Sequence, residues 1–298
     1  MAIPRRSWID GTRDDGCIAR TLKAGFLCLV WMVLLAAADF QCAAEATRQA
    51  PETQGPELAG IAHAAIRVSD LAKSRDFYEK LGFEEAFAMD QGGTPTQSFI
   101  KINDRQFLEL YPQRDPTQVI GFMHVCFEAD DLEGLNRYYL AEGLKPNAVR
   151  RAGAGNLLFT MTGPEEQNIE YTQYMPGSKH TNDRGKHLGA HRIAEKIVAV
   201  GIEMQDSVAA KTFYAEKLAF KTDAEVEPGG TWLKIPGQSG QMVEIIQHTQ
   251  RSVFQLFLAT PDLRRVAGQL KALQIPVEKH KAMVSIVDPD GNRIVFVN

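Results

Sequence analysis

The sequence predicts an α+β fold built from four βαβββ modules that pair into two domains. Two observations predict it. A strand-and-helix pattern recurs at an offset of 61 residues, and weaker copies of it begin at Ile197 and Val253. The chain of 298 residues is long enough for two domains, and its 44% hydrophobic and 23% charged residues are typical of a globular protein.

The first 44 residues have the pattern of a secretory signal peptide. Basic residues precede an uncharged run of fifteen residues from Ala24 to Ala38, and small residues follow it. The run is shorter than the roughly 20 residues that a membrane span needs. We therefore expect cleavage after Ala38 or Ala44, and an exported protein, periplasmic or secreted, without stable membrane insertion. A retained N-terminal anchor is the alternative.

The composition of the chain indicates which classes of partner to expect. The net charge is −4 and no block of Lys or Arg stands out, which argues against nucleic acid. Three of the four cysteines lie in or beside the leader, so Cys126 alone remains and no internal disulfide is expected. We expect a small-molecule ligand and a monomer or homodimer.

Two polar segments without periodicity predict linkers and so divide the chain. Residues 45–59 separate the leader from a first domain at 60–175. Residues 176–195 separate that domain from a second one at 196–298.

The first two modules align without a gap. "HAAIRVSDLAKSRDFYEKLGF" begins at His63, and "HVCFEADDLEGLNRYYLAEGL" begins at His124. Each reads as a strand, an Asp that caps a helix, an amphipathic helix with an aromatic pair, and a Gly stop. Short strand-like runs follow, separated by Gly- and Pro-containing turns. Asp206 and Asp262 take the cap position in the third and fourth modules.

Two histidines and two glutamates share the same offset. Glu109 follows His63 by 46 residues, and Glu170 follows His124 by 46 residues. Strand alternation places all four on the face opposite the helices, so they converge if the two modules meet about a pseudo-twofold axis. Arg67 lies on that face too, and its module-two equivalent, Glu128, is its expected ion-pair partner.

The mixed nitrogen and oxygen set predicts a metal site. Two imidazoles and two carboxylates suit one divalent ion, Zn, Ni, Co, Mn or Fe. Without a cation, two buried carboxylates that face each other repel, and one of them protonates.

These residues and modules resemble the vicinal oxygen chelate superfamily, whose members include glyoxalase I, extradiol dioxygenases, fosfomycin-resistance enzymes and methylmalonyl-CoA epimerase. The resemblance extends from about residue 60 to the C-terminus. It implies that His63, Glu109, His124 and Glu170 hold the metal, as the equivalent residues do in glyoxalase I-like members. It also implies that a metal-bound carboxylate is the general base, with Glu170 the first choice and Glu109 the second.

The second pair of modules departs from this pattern. Ala199 aligns with His63, Glu244 with Glu109, Gln255 with His124, and Val295 with Glu170. Two of the four positions are apolar, so we expect the second domain to be degenerate and to lack a metal.

Three functions remain open from the sequence. The first is a glyoxalase-like, metal-dependent lyase or isomerase, similar to lactoylglutathione lyase. The second is an extradiol Fe(II) dioxygenase with His63, His124 and Glu170 as its ligand triad. Such an enzyme needs a further acid–base histidine, which His180, His187 or His191 supplies only if the second linker folds over the site. The third is a protein that binds a small molecule without catalysis.

Overall fold

The computed structural model describes residues 55–226, 230–248, 254–280 and 282–298. The predicted leader and most of the linker at 45–59 lie outside the described residues. Within the described ranges, no helix has both the length and the apolar character needed to cross a membrane.

The first two modules form one sheet of eight strands. The strands are β1 (Gly60–Val68), β2 (Glu84–Gln91), β3 (Thr94–Asn103), β4 (Gln106–Pro112), β5 (Gly121–Glu128), β6 (Arg150–Arg151), β7 (Leu157–Thr162) and β8 (Asn168–Gln173). Their order in the sheet is β2-β3-β4-β1-β5-β8-β7-β6. Strands β1 and β5 pair antiparallel at the centre, so the two modules of this chain close on each other about a pseudo-twofold axis.

The last two modules form a second sheet with the same topology. Its strands are β9 (Lys196–Met204), β10 (Lys221–Val226), β11 (Gly230–Lys234), β12 (Met242–Gln247), β13 (Gln255–Ala259), β14 (Glu278–His280), β15 (Met283–Val287) and β16 (Arg293–Val297). Their order is β10-β11-β12-β9-β13-β16-β15-β14. The prediction of four modules that form two paired domains is confirmed.

One helix follows the first strand of each module, as predicted. These helices are α1 (Leu71–Lys80), α2 (Leu132–Ala141), α4 (Ser207–Thr212) and α5 (Leu263–Ala272). An aspartate side chain caps the first turn of each by accepting backbone N–H hydrogen bonds, and these caps are Asp70, Asp131, Asp206 and Asp262. Helix α4 is short and continues into a wider turn at Phe213–Lys217.

The two sheets share a single hydrophobic core within one compact unit that contains the described residues from 55 to 298. Residues from both helix-facing sides fill it. Phe122 of the first sheet stacks on Phe254 beside the second, with ring centroids 5.2 Å apart. Packed structure begins inside the predicted first linker, because Leu58 is buried and its N–H donates to the carbonyl of Pro236.

Two glutamines in equivalent positions join the domains. Gln241 accepts a hydrogen bond from the backbone N–H of Ile61 and donates one to the carbonyl of Ile197. Gln106 accepts from the N–H of Ile197 and donates to the carbonyls of Ile61 and Ile197. All four residues are buried, so each glutamine satisfies backbone groups that water does not reach.

The connection at 176–195 packs against the first sheet and contains a short helix, α3 (Lys179–Asn182). Its anchor is Lys101, whose side chain is fully buried. The Lys101 ammonium donates to the Oδ2 and carbonyl oxygens of Asp183 at 2.7 and 2.6 Å, and it lies 2.8 Å from Oδ1 of Asp104. Three acceptors match the three donors of an ammonium group, which satisfies the buried charge.

The predicted ion pair between Arg67 and Glu128 is wrong. Because β1 and β5 run antiparallel, Arg67 pairs with Gly121 while Glu128 pairs with Gly60 at the far end of the strands. Arg67 donates to the carbonyl of Val119, and Glu128 accepts two hydrogen bonds from Arg105.

Apolar side chains fill the face of the second sheet that corresponds to the histidine-bearing face of the first. Ala199, Phe257 and Val295 form a buried cluster there, with Trp232 and Met242 packed against it. Glu244 lies beside this cluster, and its Oε2 is buried with no hydrogen-bond partner among the described residues. Burial raises the pKa of Glu244 to about 7, although the charge of Arg293 partly offsets the effect.

Glu244 predicts a pH-dependent loss of stability. A carboxyl group whose pKa is raised in the folded state binds more protons folded than unfolded, so the free energy of unfolding falls as pH rises from about 4.5 to 7. We expect Glu244→Gln to remove this loss, so that above pH 7 its free energy of unfolding exceeds that of the wild type by about 1–3 kcal/mol. Urea unfolding of both proteins at pH 5 and pH 8 measures the difference.

The exposed Glu142 offers a matched control for that measurement. Glu142→Gln should keep the pH dependence of the wild type. Equal pH dependence in wild type and Glu244→Gln would contradict the account of Glu244.

Candidate functional site

The four predicted site residues meet on the concave face of the first sheet. Nε2 of His63 lies 3.1 Å from Nε2 of His124 and 3.5 Å from Oε1 of Glu170. Nδ1 of His63 lies 3.3 Å from Oε1 of Glu109. Three of these residues are almost fully buried, and the side chain of Glu170 is 14% exposed.

Sheet register explains why they meet. Strand β5 pairs with β1 on one side and with β8 on the other, which places Cys126 directly between His63 and Glu170. Strand β4 pairs with the other side of β1, where Glu109 lies opposite Ala65. The four side chains therefore come from four adjacent strands, β4, β1, β5 and β8.

Two donors hold Glu109. Gln97 donates to Oε2 of Glu109 at 2.6 Å, and the hydroxyl of Tyr111 donates to the same oxygen at 3.1 Å. Gln97 also lies 2.6 Å from the Tyr111 hydroxyl. These contacts leave Oε1 of Glu109 to face Nδ1 of His63.

Glu170 lies beside a buried thiol. Sγ of Cys126 lies within 4.8 Å of a carboxylate oxygen of Glu170, and its hydrogen bond goes to the carbonyl of Phe127. Glu170 thus lacks the pair of side-chain donors that hold Glu109.

Burial controls the charges in the site. It lowers the pKa of His124 to about 4, and burial together with the neighbouring charges of His124 and His180 lowers the pKa of His63 well below its usual value. Both imidazoles are therefore neutral near pH 7. Burial raises the pKa of Glu170 to about 7, and burial and the charge of Glu170 raise the pKa of Glu109 well above its usual value.

Donor types and separations fit one divalent cation. Ligand atoms about 2.1 Å from an ion and at usual angles lie roughly 3.0–3.4 Å apart, close to the distances around Nε2 of His63. Two sets of donors lie within 4.8 Å of one another, His63 with Glu109 and His124, and His63 with Cys126 and Glu170. An ion bound at Nε2 of His63 lies on the other side of the ring from Nδ1, which faces Glu109. A cation would also remove the cost of two neighbouring buried carboxylates.

The site opens into a cavity of about 200 Å³. His63, Glu109 and Glu170 form one end, and Met89, Phe99 and Leu158 form an apolar wall. The exposed Arg150 contributes a positive charge that lowers the pKa of Glu170. A larger cavity of about 660 Å³ beside residues 55–59 is lined by carboxylates without an imidazole, whereas the smaller cavity combines the two donor types.

The connection at 176–195 does fold over the site. His180 of α3 is 5% exposed, lines the cavity and packs edge-on against three phenylalanine rings, Phe87, Phe99 and Phe107. His187 instead bonds to Asp183 outside the cavity lining. Sequence periodicity did not reveal His180, because the connection has no counterpart in the repeat.

Gln97, Tyr111 and Cys126 also contribute more than the sequence predicted. The hydroxyl of Tyr111 donates a hydrogen bond to Glu109. The alternation of β3 gives a weak signal for Gln97, since it places this residue on the same face as Phe99. The proximity of Cys126 to Glu170 follows from the register of β5 and β8, which the sequence alone does not specify.

Solved structures with a similar fold include two 2,3-dioxygenases. A variant of homoprotocatechuate 2,3-dioxygenase from Brevibacterium fuscum is 19% identical, with a TM-score of 0.62 over 83% of this chain and 73% of that chain. The 2,3-dioxygenase LapB from Pseudomonas sp. KL28 is 16% identical, with a TM-score of 0.62 over 81% of this chain and 92% of that chain. At these identities the likeness shows the fold alone.

Sequence comparison identifies the family. None of the curated proteins compared with the chain matches it. The sequence model of the Glyoxalase/Bleomycin resistance protein/Dioxygenase superfamily matches residues 60–171, which contain both histidines and both glutamates of the site. Residues 60–171 therefore form a domain of that superfamily, the vicinal oxygen chelate proteins, and the second sheet repeats the topology of the first.

Proposed function

We propose that the protein is a divalent-metal-dependent lyase or isomerase that removes a proton from a carbon next to an oxygen-bearing carbon of a small substrate. One observation carries this proposal: two buried carboxyl groups flank the two neutral imidazoles at one end of the cavity. His63, His124, Glu109 and Glu170 are the residues that would hold the ion. The chemistry that such an ion supplies when bound is Lewis-acid polarisation of a substrate oxygen.

Glu170 is the better candidate for the general base. Its side chain lines the cavity and is 14% exposed, against 4% for Glu109, so a substrate reaches it more readily. It also lacks the two side-chain donors that hold Glu109, so it is freer to accept a proton. Glu109, held by Gln97 and Tyr111, is better suited to hold and orient its neighbours.

Cavity size and charge indicate a small substrate. A volume of about 200 Å³ is roughly seven times the space that one water molecule takes in the liquid. The apolar wall suits a short carbon chain, and Arg150 suits a carboxylate or another anionic group. A substrate as large as a glutathione adduct would have to extend well beyond the cavity.

An extradiol Fe(II) dioxygenase is the second candidate, and one distance favours it. Glu109 approaches Nδ1 of His63, whereas His124 and Glu170 approach Nε2. His63, His124 and Glu170 then form a set of two histidines and one carboxylate, with Glu109 orienting the His63 ring. The fold of the neighbouring dioxygenases agrees with this candidate without deciding for it.

We also propose that the protein works outside the cytoplasm. Support comes from the basic, apolar and small-residue order of residues 1–44, which lie outside the described part of the chain. N-terminal sequencing of the mature protein should begin at residue 39 or residue 45. An intact Met1 would contradict export by cleavage.

Metal binding is the first test of the enzyme proposal. We expect the native protein to bind one divalent ion per chain, because the donors fit one cation and its charge stabilises both carboxylates. Titration calorimetry with Zn²⁺, Mn²⁺, Fe²⁺, Co²⁺ and Ni²⁺ measures it. His63→Ala and His124→Ala should each weaken binding at least roughly 100-fold, since each removes a ligand.

His248 provides the matched control, because its side chain is partly exposed and pairs with Glu203 in the second domain. His248→Ala should leave metal affinity unchanged. Equal affinity in His63→Ala and wild type would contradict a metal centre at this site.

Proton removal is the second test. We expect Glu170→Gln to lower kcat by about 10²–10⁴-fold at saturating metal, because it removes the base. The assay follows deuterium uptake from solvent into small 2-oxoaldehyde–thiol adducts, 2-hydroxy ketones and 2-oxo acids, with the exposed Glu142→Gln as control.

Oxygen consumption separates the two candidates. The lyase or isomerase should exchange substrate protons with solvent and consume no O₂. Oxygen uptake by the Fe²⁺-loaded protein with catechols, without such exchange, would overturn it in favour of the dioxygenase.

A further inference from the structure

His180 has a fixed arrangement of ring protons. The backbone N–H of Met175 donates to Oδ1 of Asn156 at 3.1 Å. This contact fixes the orientation of the Asn156 amide, so its nitrogen faces His180. That nitrogen, Nδ2, lies 2.8 Å from Nδ1 of His180. Because an amide NH₂ only donates, Nδ1 of His180 must accept.

The proton of neutral His180 is therefore on Nε2. Burial lowers the pKa of His180 to about 4, which keeps the ring neutral near pH 7. Nε2 is buried and has no hydrogen-bond partner among the described residues. A buried N–H without a partner is costly, and a ligand oxygen removes that cost.

Other neutral polar side chains around the cavity already use their hydrogen bonds within the protein. These are Gln97, Tyr111, Asn156, Thr172 and Tyr174. Among the described cavity-lining side chains other than the proposed metal ligands, His180 thus has the buried neutral donor that remains for a ligand. Its position is rigid, because three phenylalanine rings and Tyr174 surround the imidazole with centroids 4.8–5.3 Å away.

We propose that His180 is a substrate-binding residue whose Nε2–H donates a hydrogen bond to a negatively charged oxygen of the bound ligand, and that Asn156 is the positioning residue that holds it in this form. This inference rests on the proposed function, since the negative charge develops when the substrate loses a proton. It also limits the role of His180: a ring with Nε2 protonated and Nδ1 occupied is a donor and not a general base. The preferred ligand is a small compound with two adjacent oxygens that carries or develops an oxyanion.

Lys101 holds the segment that carries His180. Two of its three contacts are to Asp183, whose backbone N–H donates to the carbonyl of His180 at the end of α3. The donor is therefore carried by the connection between the domains and is held there by a residue of β3.

Three variants test separately the N–H donor of His180, the position of its ring proton and the shape of its ring. His180→Phe keeps a flat ring among the aromatic neighbours and removes the donor. His180→Gln keeps an amide N–H near the position of Nε2. Asn156→Asp replaces the amide donor by an isosteric acceptor, so the proton of His180 should move to Nδ1.

The ring form is measured without metal. Nitrogen-15 NMR of the metal-free, full-length protein at pH 7 should show His180 with its proton on Nε2, and Asn156→Asp should show it on Nδ1. A wild-type ring that is doubly protonated, or protonated on Nδ1, would overturn the inference whatever the outcome of metal binding.

Ligand binding is measured with oxalate, a dianion with adjacent oxygens. We expect His180→Phe and Asn156→Asp to weaken oxalate binding to the Zn²⁺-loaded protein by about 10–100-fold, the usual effect of a hydrogen bond to a charged group. His180→Gln should stay within about threefold of wild type. His191→Phe, the same substitution at an exposed position of the same connection, is the matched control and should have no effect.

The two proposals fail in different ways. Loss of Zn²⁺ binding in the wild type refutes the metal enzyme, and the NMR result still tests the ring form. Normal Zn²⁺ binding with oxalate affinity unchanged in His180→Phe refutes the donor, as does the absence of oxalate binding to the wild type. Thermal unfolding of each variant shows that it is folded before its affinity is compared.

Discussion

The antiparallel pairing of β1 with β5 is the interaction on which the site depends. It places His63 opposite Cys126 and brings the imidazoles of His63 and His124 within 3.1 Å of each other. Each module alone offers one histidine and one glutamate, which is too few donors for a tight metal site. The pairing also brings two carboxyl groups together in a buried space, where their negative charges repel each other and water does not solvate them.

The second sheet has the same strand order, but its corresponding face does not bring two carboxyl groups together among the residues of its buried cluster. Ala199, Phe257 and Val295 replace polar positions by a packed apolar cluster, so its concave face contributes to stability. Glu244 remains at the position equivalent to Glu109, but no imidazole or second carboxylate faces it among the cluster residues. One fold thus contains a polar, ligand-ready face and an apolar, closed one, and a few side chains account for the difference.

The sequence was sufficient to predict the modules, their helix caps and the proximity of His63, Glu109, His124 and Glu170, because these features repeat at a fixed offset. Asp70 and Asp131, for example, cap equivalent helices and align without a gap. Features that occur once could not be found in this way. His180 lies in a connection without a repeat, and Arg67 was paired with the wrong partner because offset alone ignores strand direction. Side-chain contacts such as that of Gln97 with Glu109 depend on rotamers, which periodicity does not determine.

The paired glutamines have a consequence for how such a chain can evolve. Ile61 lies at the start of the strand that carries His63. Its N–H donates to Gln241, and its carbonyl accepts from Gln106, which also donates to the carbonyl of Ile197. Deleting the second domain would leave the buried N–H of Ile61 without Gln241 and would uncover the common core. The two halves of the chain can therefore diverge in chemistry while each still needs the other in order to fold.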